Sequence, residues 1–160
     1  MKYKVPETNF TCLVSGFRNC LIKLGFKTSE RHLRKLIKVD RINGAGLAYP
    51  KNIIKGIEYY NLEFKINYST SPRVFKNKLL KALRNGKVCL ILIEDCNHWI
   101  SALEYKNKRI QIVDGDFKKY AHKKIAQEVT PKEITLMAGN FDRLFYMKNF
   151  FEFIELNKKI

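Results

Sequence analysis

A run of six apolar residues, Val88-Cys89-Leu90-Ile91-Leu92-Ile93, follows the helix-stop pair Asn85-Gly86 and constrains the fold more than any other feature. It is too short for a buried helix, so it reads as a strand buried on both faces. It also divides the chain. Before Gly86 most apolar residues recur at helical spacing; after it they alternate or cluster as in strands.

Thr11 to Leu24 is expected to be a helix, with Leu13, Phe17, Cys20, Leu21 and Leu24 at helical spacing and Gly25 just past its end. Ser29-Glu30 opens a second, basic helix with Leu33, Leu36 and Ile37 inward, and Asn43-Gly44-Ala45-Gly46 is a loop. Pro50 suits a first helical turn, followed by Ile53, Ile54 and Ile57. Leu62 to Asn67 alternates as a short strand, and Ser71-Pro72 starts a helix with Phe75, Leu79 and Leu83 on one face. Beyond the buried strand, Trp99 to Tyr105 and Arg109 to Val113 read as strands around the turn-like Lys106-Asn107-Lys108. Two aromatic, extended stretches follow, around Leu144-Phe145-Tyr146 and Phe151-Glu152-Phe153-Ile154. Helices segregated ahead of mostly antiparallel strands define an α+β class. No repeat or linker interrupts the pattern. Residues 1–160 are expected to form a single domain, helical over about 11–85 and sheet over about 87–156.

Composition narrows the function. With 160 residues, 46% hydrophobic and 29% charged, the chain can close one core and is unlike a disordered tail. No apolar run approaches the roughly 18 residues of a membrane span. The start, Met1-Lys2-Tyr3-Lys4-Val5-Pro6-Glu7-Thr8-Asn9, has no apolar signal-peptide stretch, so a cytoplasmic protein is expected. Lys and Arg number 31 against 15 Asp and Glu, a formal +16 that attracts polyanions. The cations are spread along the chain, from Lys35 and Lys55 to Lys123 and Lys158. Their densest group, Arg31, Arg34, Lys35 and Lys38, lacks aromatic partners for stacking bases, so nucleic-acid binding is not the favoured reading.

Four cysteines occur. Cys20 and Cys89 sit inside apolar runs as small core residues. Cys96-Asn97-His98 comes closest to a metal motif, but alternating residues of one strand do not close on a single ion, and no metal is expected. Without a secretory signal, disulfides are not expected either. Cys12 differs because it stands where the first helix begins, and backbone N–H groups and the helix dipole there favour an anion.

A cysteine nucleophile also needs an imidazole to hold its proton and a third group to orient that imidazole. His98 opens the strand after the buried one, behind the polar corner Asp95-Cys96-Asn97. If Tyr105, Lys106 and Asn107 form a three-residue hairpin loop, Glu104 pairs with Lys108 and His98 stands opposite Asp114, on the same sheet face. If the loop is Lys106-Asn107-Lys108, Asp116 takes that place. Each residue alone has an ordinary reading: a core cysteine, a polar strand end, a turn aspartate before Gly115. Together they point to nucleophilic catalysis.

The order helix Cys, strand His, then Asp on the next strand resembles the papain-like cysteine peptidases. Within them it resembles the bacteriocin-leader, or double-glycine, peptidase family and its stand-alone relatives. That family carries a Gly about 13 positions after its Cys; here Leu13-Val14-Ser15-Gly16-Phe17 follow Cys12, and Gly25 stands 13 positions on. Its later pattern is a helix, a Gly, a buried strand, His followed by an aromatic, a hairpin, and Asp about 16 residues after the His. Here that pattern reads Leu79 to Gly86, Val88 to Ile93, His98-Trp99 and Asp114-Gly115. The likeness spans roughly Glu7 to Asp116.

The resemblance implies a papain-like fold, a helical part packed on a mostly antiparallel sheet, and hydrolysis of a peptide or isopeptide bond. Cys12 would attack the carbonyl, His98 would take and return the proton, and Asp114 would orient the imidazole, with no cofactor. Trp99, on the opposite sheet face from His98, is expected in the core. Two positions depart from the family. Leu13 stands where a Gly usually follows the Cys, and Pro6 stands where a Gln usually supplies the oxyanion donor, six residues before it. Asn9 is the expected replacement; a backbone N–H such as that of Cys12, or a binding-only relative without catalysis, are the alternatives. The partner expected is a peptide or protein substrate, with the Lys surplus suggesting an acidic one.

Overall fold

The computed structural model describes residues 12–39, 51–95, 98–114, 126–142 and 146–160. The first helix, α1 (Cys12–Lys23), ends at Gly25, whose φ of +86° is the left-handed cap that glycine adopts without a Cβ penalty. Phe26 N–H donates to Leu21 C=O and Gly25 N–H to Ile22 C=O, closing the helix end. Ser29 caps α2 (Glu30–Ile37), its side chain accepting from His32 N–H. Next come α3 (Lys51–Tyr59) and β1 (Leu62–Ser69). Ser71 caps α4 (Pro72–Arg84), which a second left-handed glycine, Gly86, closes. The second half carries β2 (Val88–Ile93), β3 (His98–Lys106), β4 (Arg109–Val113), β5 (Ala126–Val129), α5 (Pro131–Ala138), β6 (Asn140–Asp142) and β7 (Met147–Lys158).

The expected helices and strands that fall within the described residues are present, with small shifts at their ends, except that Tyr146 is a turn residue with φ +52° before β7. Leu36 and Ile54 are half-buried rather than fully inward. The Asn43–Gly46 loop and Leu144-Phe145 lie outside the described residues. Three elements were not anticipated: β5, α5 and β6. Of these α5 had a readable signal, since Thr130-Pro131-Lys132-Glu133 forms a capping box in which Thr130 and Glu133 satisfy each other's backbone N–H groups.

The strands form one antiparallel sheet in the order β1-β7-β2-β3-β4-β5, with β6 also paired to β7. β1 therefore joins the sheet although it precedes α4, so the division into a helical half and a sheet half is not strict. Helices cover both faces. On one face α1, α2 and α3 bring Phe17, Leu21, Leu33, Ile37, Ile53 and Ile57 onto Val88, Leu90, Leu92 and Trp99 of the sheet. On the other, α4 and α5 bring Phe75, Leu79, Leu83 and Ile134 onto Cys89, Ile91, Ile93 and Phe153. The continuous apolar run thus alternates its side chains between two separate cores, which is why no position in it tolerates polarity. Phe151 and Phe153 of the late aromatic stretch belong to the second core, and Trp99 is buried in the first, as expected. Among the described residues no helix is long and apolar enough to cross a membrane.

Helix α1 lies very close to the sheet. A Cβ placed on Gly16 would stand 2.9 Å from Leu90 Cδ2, a side chain with no exposed surface. Glycine is needed there for close approach, not for a turn. Gly16→Val is expected to lower the unfolding free energy by about 1–3 kcal/mol, because its branches meet a core with no slack. Gly16→Ala, which displaces only the Leu90 methyl, should lose less. Urea unfolding of the two variants beside wild type checks both values.

Candidate active site

Cys12 is the first residue of α1, so its position is fixed by the packing of the whole helix behind it. It is half-buried and packs against the first core. The first residues of a helix have N–H groups without intrahelical partners, and these face the same end as the thiol. Cys20 and Cys89 are fully buried, one in each core, and burial pushes both thiols well above the ordinary range. Among the described residues no three His, Cys, Asp or Glu side chains are grouped to hold a metal ion.

His98 opens β3 and is buried, 8% exposed. Its Nε2 lies 2.6 Å from Oδ1 of Asp114, which is 1% exposed and follows the last residue of β4. The Cys12 side chain lies close enough to His98 to raise its proton affinity. The structure therefore brings Cys12, His98 and Asp114 together. Asn9, Pro6 and Asp116 lie outside the described residues.

The route by which Asp114 reaches His98 differs from the hairpin geometry expected from sequence. Neither three-residue loop forms. Lys106 pairs with Arg109, leaving the two-residue turn Asn107-Lys108, with φ of +51° and +60°. Positive φ at both positions suits a two-residue hairpin of the strands' twist. A bulge between Ala102 and Glu104 leaves Leu103 unopposed and shifts the register, so that Ser101 pairs with Val113. One step further, Asp114 stands level with Ile100, and His98 lies two residues beyond on the same side of the strand. The contact is diagonal, within reach of an imidazole and a carboxylate.

The corner carrying His98 is held from a second direction. Glu94 and Asp95 have left-handed backbone, φ +54° and +52°, just after β2. Phe141 N–H donates to Asp95 Oδ1 at 2.9 Å, and buried Asn140 donates from Nδ2 to Leu92 C=O at 3.0 Å. These bonds tie β6 to the end of β2. Sequence reading placed Asp95 in a polar corner but gave no sign of Asn140, whose partner is 48 residues away.

Electrostatics at His98 has opposing causes. Burial by itself lowers its proton affinity. Asp114, which accepts a hydrogen bond from the ring and carries a negative charge, and then Cys12 outweigh burial and push the imidazole from 6.5 up to about 10. A group held above its unfolded value stabilises the fold fully below about pH 6.5, and that contribution is lost as pH rises through about 10. Asp114→Asn should therefore narrow its stability deficit against wild type as pH rises from about 6.5 to 10, which urea unfolding across that range measures. A deficit independent of pH would show that Asp114 is not charge-coupled to His98.

Sequence comparison alone is silent: no protein-family profile and no curated protein matches the chain. Solved structures do match. The chain superposes on the peptidase domain of Streptococcus ComA, a bifunctional ABC transporter involved in a quorum-sensing pathway, with a TM-score of 0.60 at 13% identity, covering 98% of this chain and 99% of that one. A double-glycine-motif protease from an AMS/PCAT transporter, solved with its leader peptide, gives 0.57 at 18% identity over 98% and 94%. The Pseudomonas avirulence protein AvrPphB gives 0.52 at 8% identity over 97% of both chains. The chain has the α+β fold of the papain-like cysteine peptidases, the architecture that its Cys, His and Asp order resembled.

Proposed function

We propose that this chain is a cysteine peptidase that hydrolyses a peptide or isopeptide bond with Cys12 as nucleophile, His98 as the proton carrier and Asp114 as the group that orients it. The observation that carries the reading is the buried His98, with its Nε2 2.6 Å from the Asp114 carboxylate and its proton affinity raised by both Asp114 and Cys12. Asp114 occupies one ring nitrogen and leaves the other for Cys12, which fixes the ring's orientation.

In this mechanism His98 already holds the proton, and the Cys12 Sγ, as thiolate, bonds to the scissile carbonyl carbon. The oxyanion that forms is held by the backbone N–H of Cys12 and by the side-chain amide of Asn9. The C–N bond then breaks, and His98 gives its proton to the leaving amine, which departs and leaves a thioester on Cys12. Water attacks the thioester while His98 takes its proton. The C–S bond breaks, the acid product leaves, and His98 keeps the proton beside the restored Cys12 thiolate.

The folds most like this one include a double-glycine-motif protease solved with its leader peptide, so peptides of that class are the first substrates to try. Wild type should release two fragments, and Cys12→Ala none. Asn9→Ala should lower kcat by about 10²–10³ with little change in KM, as loss of one oxyanion donor does. Fragment release read by mass spectrometry, with peptide binding read by fluorescence anisotropy, checks this.

A second reading is favoured by Pro6 and Leu13, which stand where the resembled family carries Gln and Gly. On that reading the cleft binds a peptide without cutting it. Binding of equal strength by wild type and Cys12→Ala, with no fragments from either, would select it.

A further inference from the structure

Helix α2 carries Arg31, Arg34 and Lys35 within eight residues, and tertiary packing gives it the aromatic companions that its own sequence lacks. Tyr59, the last residue of α3, is 61% exposed and lies beside His32 of α2, ring centroids 5.3 Å apart. Behind it stands Tyr60, 5.1 Å away, itself edge-on to Phe26 at 5.4 Å and anchored by its hydroxyl donating to Thr28 Oγ1 at 2.6 Å. Tyr59 is therefore a supported ring with open surface.

The two helices that carry these rings also carry exposed cations. Arg31 and Lys35 are exposed, Lys35 one turn from His32, and Lys55 lies one turn before Tyr59 on α3. Lys158 of β7 places its Nζ 5.1 Å from the Phe26 ring. The carboxylate of α2, Glu30, is buried against Arg18 and offers no charge to the surface. On α3 the only carboxylate is the exposed Glu58. The whole chain carries +16.

We propose that this face, made by α2 and the end of α3, binds single-stranded nucleic acid, with phosphates on Arg31, Lys35 and Lys55 and a base stacked on Tyr59. Cations alone attract any polyanion. An exposed ring set among them adds affinity only for a polyanion that also offers π-faces, and a duplex keeps those faces stacked away. An acidic peptide has no use for the ring. An anionic membrane would take apolar side chains, whereas the exposed rings here end in a hydroxyl and an imidazole. Cys12, His98 and Asp114 take no part in this face, and the proposal does not depend on the peptidase reading.

The test is fluorescence anisotropy of the full chain with a labelled oligothymidylate of about 15 nucleotides, at about 50 and 200 mM salt. Heparin, polyglutamate and phosphatidylserine vesicles serve as competitors. Wild type should bind, more weakly at the higher salt. Tyr59→Ala should weaken binding by about fivefold or more, Tyr59→Phe should restore it, and Cys12→Ala should leave it unchanged. Arg31→Glu with Lys35→Glu should both weaken binding and flatten its salt dependence. All these positions outside the site are exposed, and circular dichroism confirms that each variant is folded. No binding at low salt would overturn the proposal. So would binding that Tyr59→Ala leaves intact, which would mean charge alone, or a Tyr59-dependent preference for the vesicles or polyglutamate over the oligonucleotide.

Discussion

The close seating of α1 on the sheet at Gly16 is the constraint on which the rest of the structure depends. Helix axes usually stand off a sheet by the length of their side chains. Here the residue facing the sheet, Gly16, has none, and Leu90 fills the space that a Cβ would occupy. Phe17 and Leu21, buried on the same helix, then lock it against α2 and α3. A helix held this rigidly delivers its first residue to a fixed point beside the start of β3. Cys12 meets His98 because of packing a full turn away, not because of anything at the cysteine itself.

The second requirement is that an imidazole survive burial in a form able to carry a proton. Removing His98 from water disfavours its charge, and only a partner of opposite charge reverses that. Asp114 provides it at 2.6 Å, and the β-bulge at Leu103 is what brings the aspartate within reach. The corner before His98 is braced by Asp95 and Asn140 against β6, so the imidazole is held from both strands that flank it. Buried charge here costs stability unless every member stays paired, which is how a site differs from a core.

Much of this was legible in the sequence, and the reasons are local. The Val88–Ile93 run fixed a doubly buried strand, Gly25 and Gly86 marked two helix ends, and the spacing of Cys12, His98 and Asp114 carried the likeness to papain-like enzymes. What was not legible depended on contacts distant in sequence. The hairpin register could not be counted because a one-residue bulge is invisible to alternation, and the Asn107-Lys108 turn lacks the glycine that announces a two-residue loop. Short β5 and β6 have no periodicity to read; they exist because β4 and β7 offer them open edges. α5 is the exception, since its capping box was written in Thr130 to Glu133. Tyr59 reached the basic helix through the α2–α3 packing, which no composition of α2 could foretell.

The central claim is that Cys12 and His98 work as a coupled pair, and the direct test is the rate at which iodoacetamide alkylates Cys12 across pH in wild type and in His98→Ala. Peptide mass spectrometry separates Cys12 from Cys96 and from Cys20 and Cys89, whose burial keeps them unreactive in the folded protein. The account predicts fast alkylation at about pH 6 that the variant loses. Alkylation that rises only near pH 8.5, at the same rate in both proteins, would contradict it and leave Cys12 an ordinary thiol.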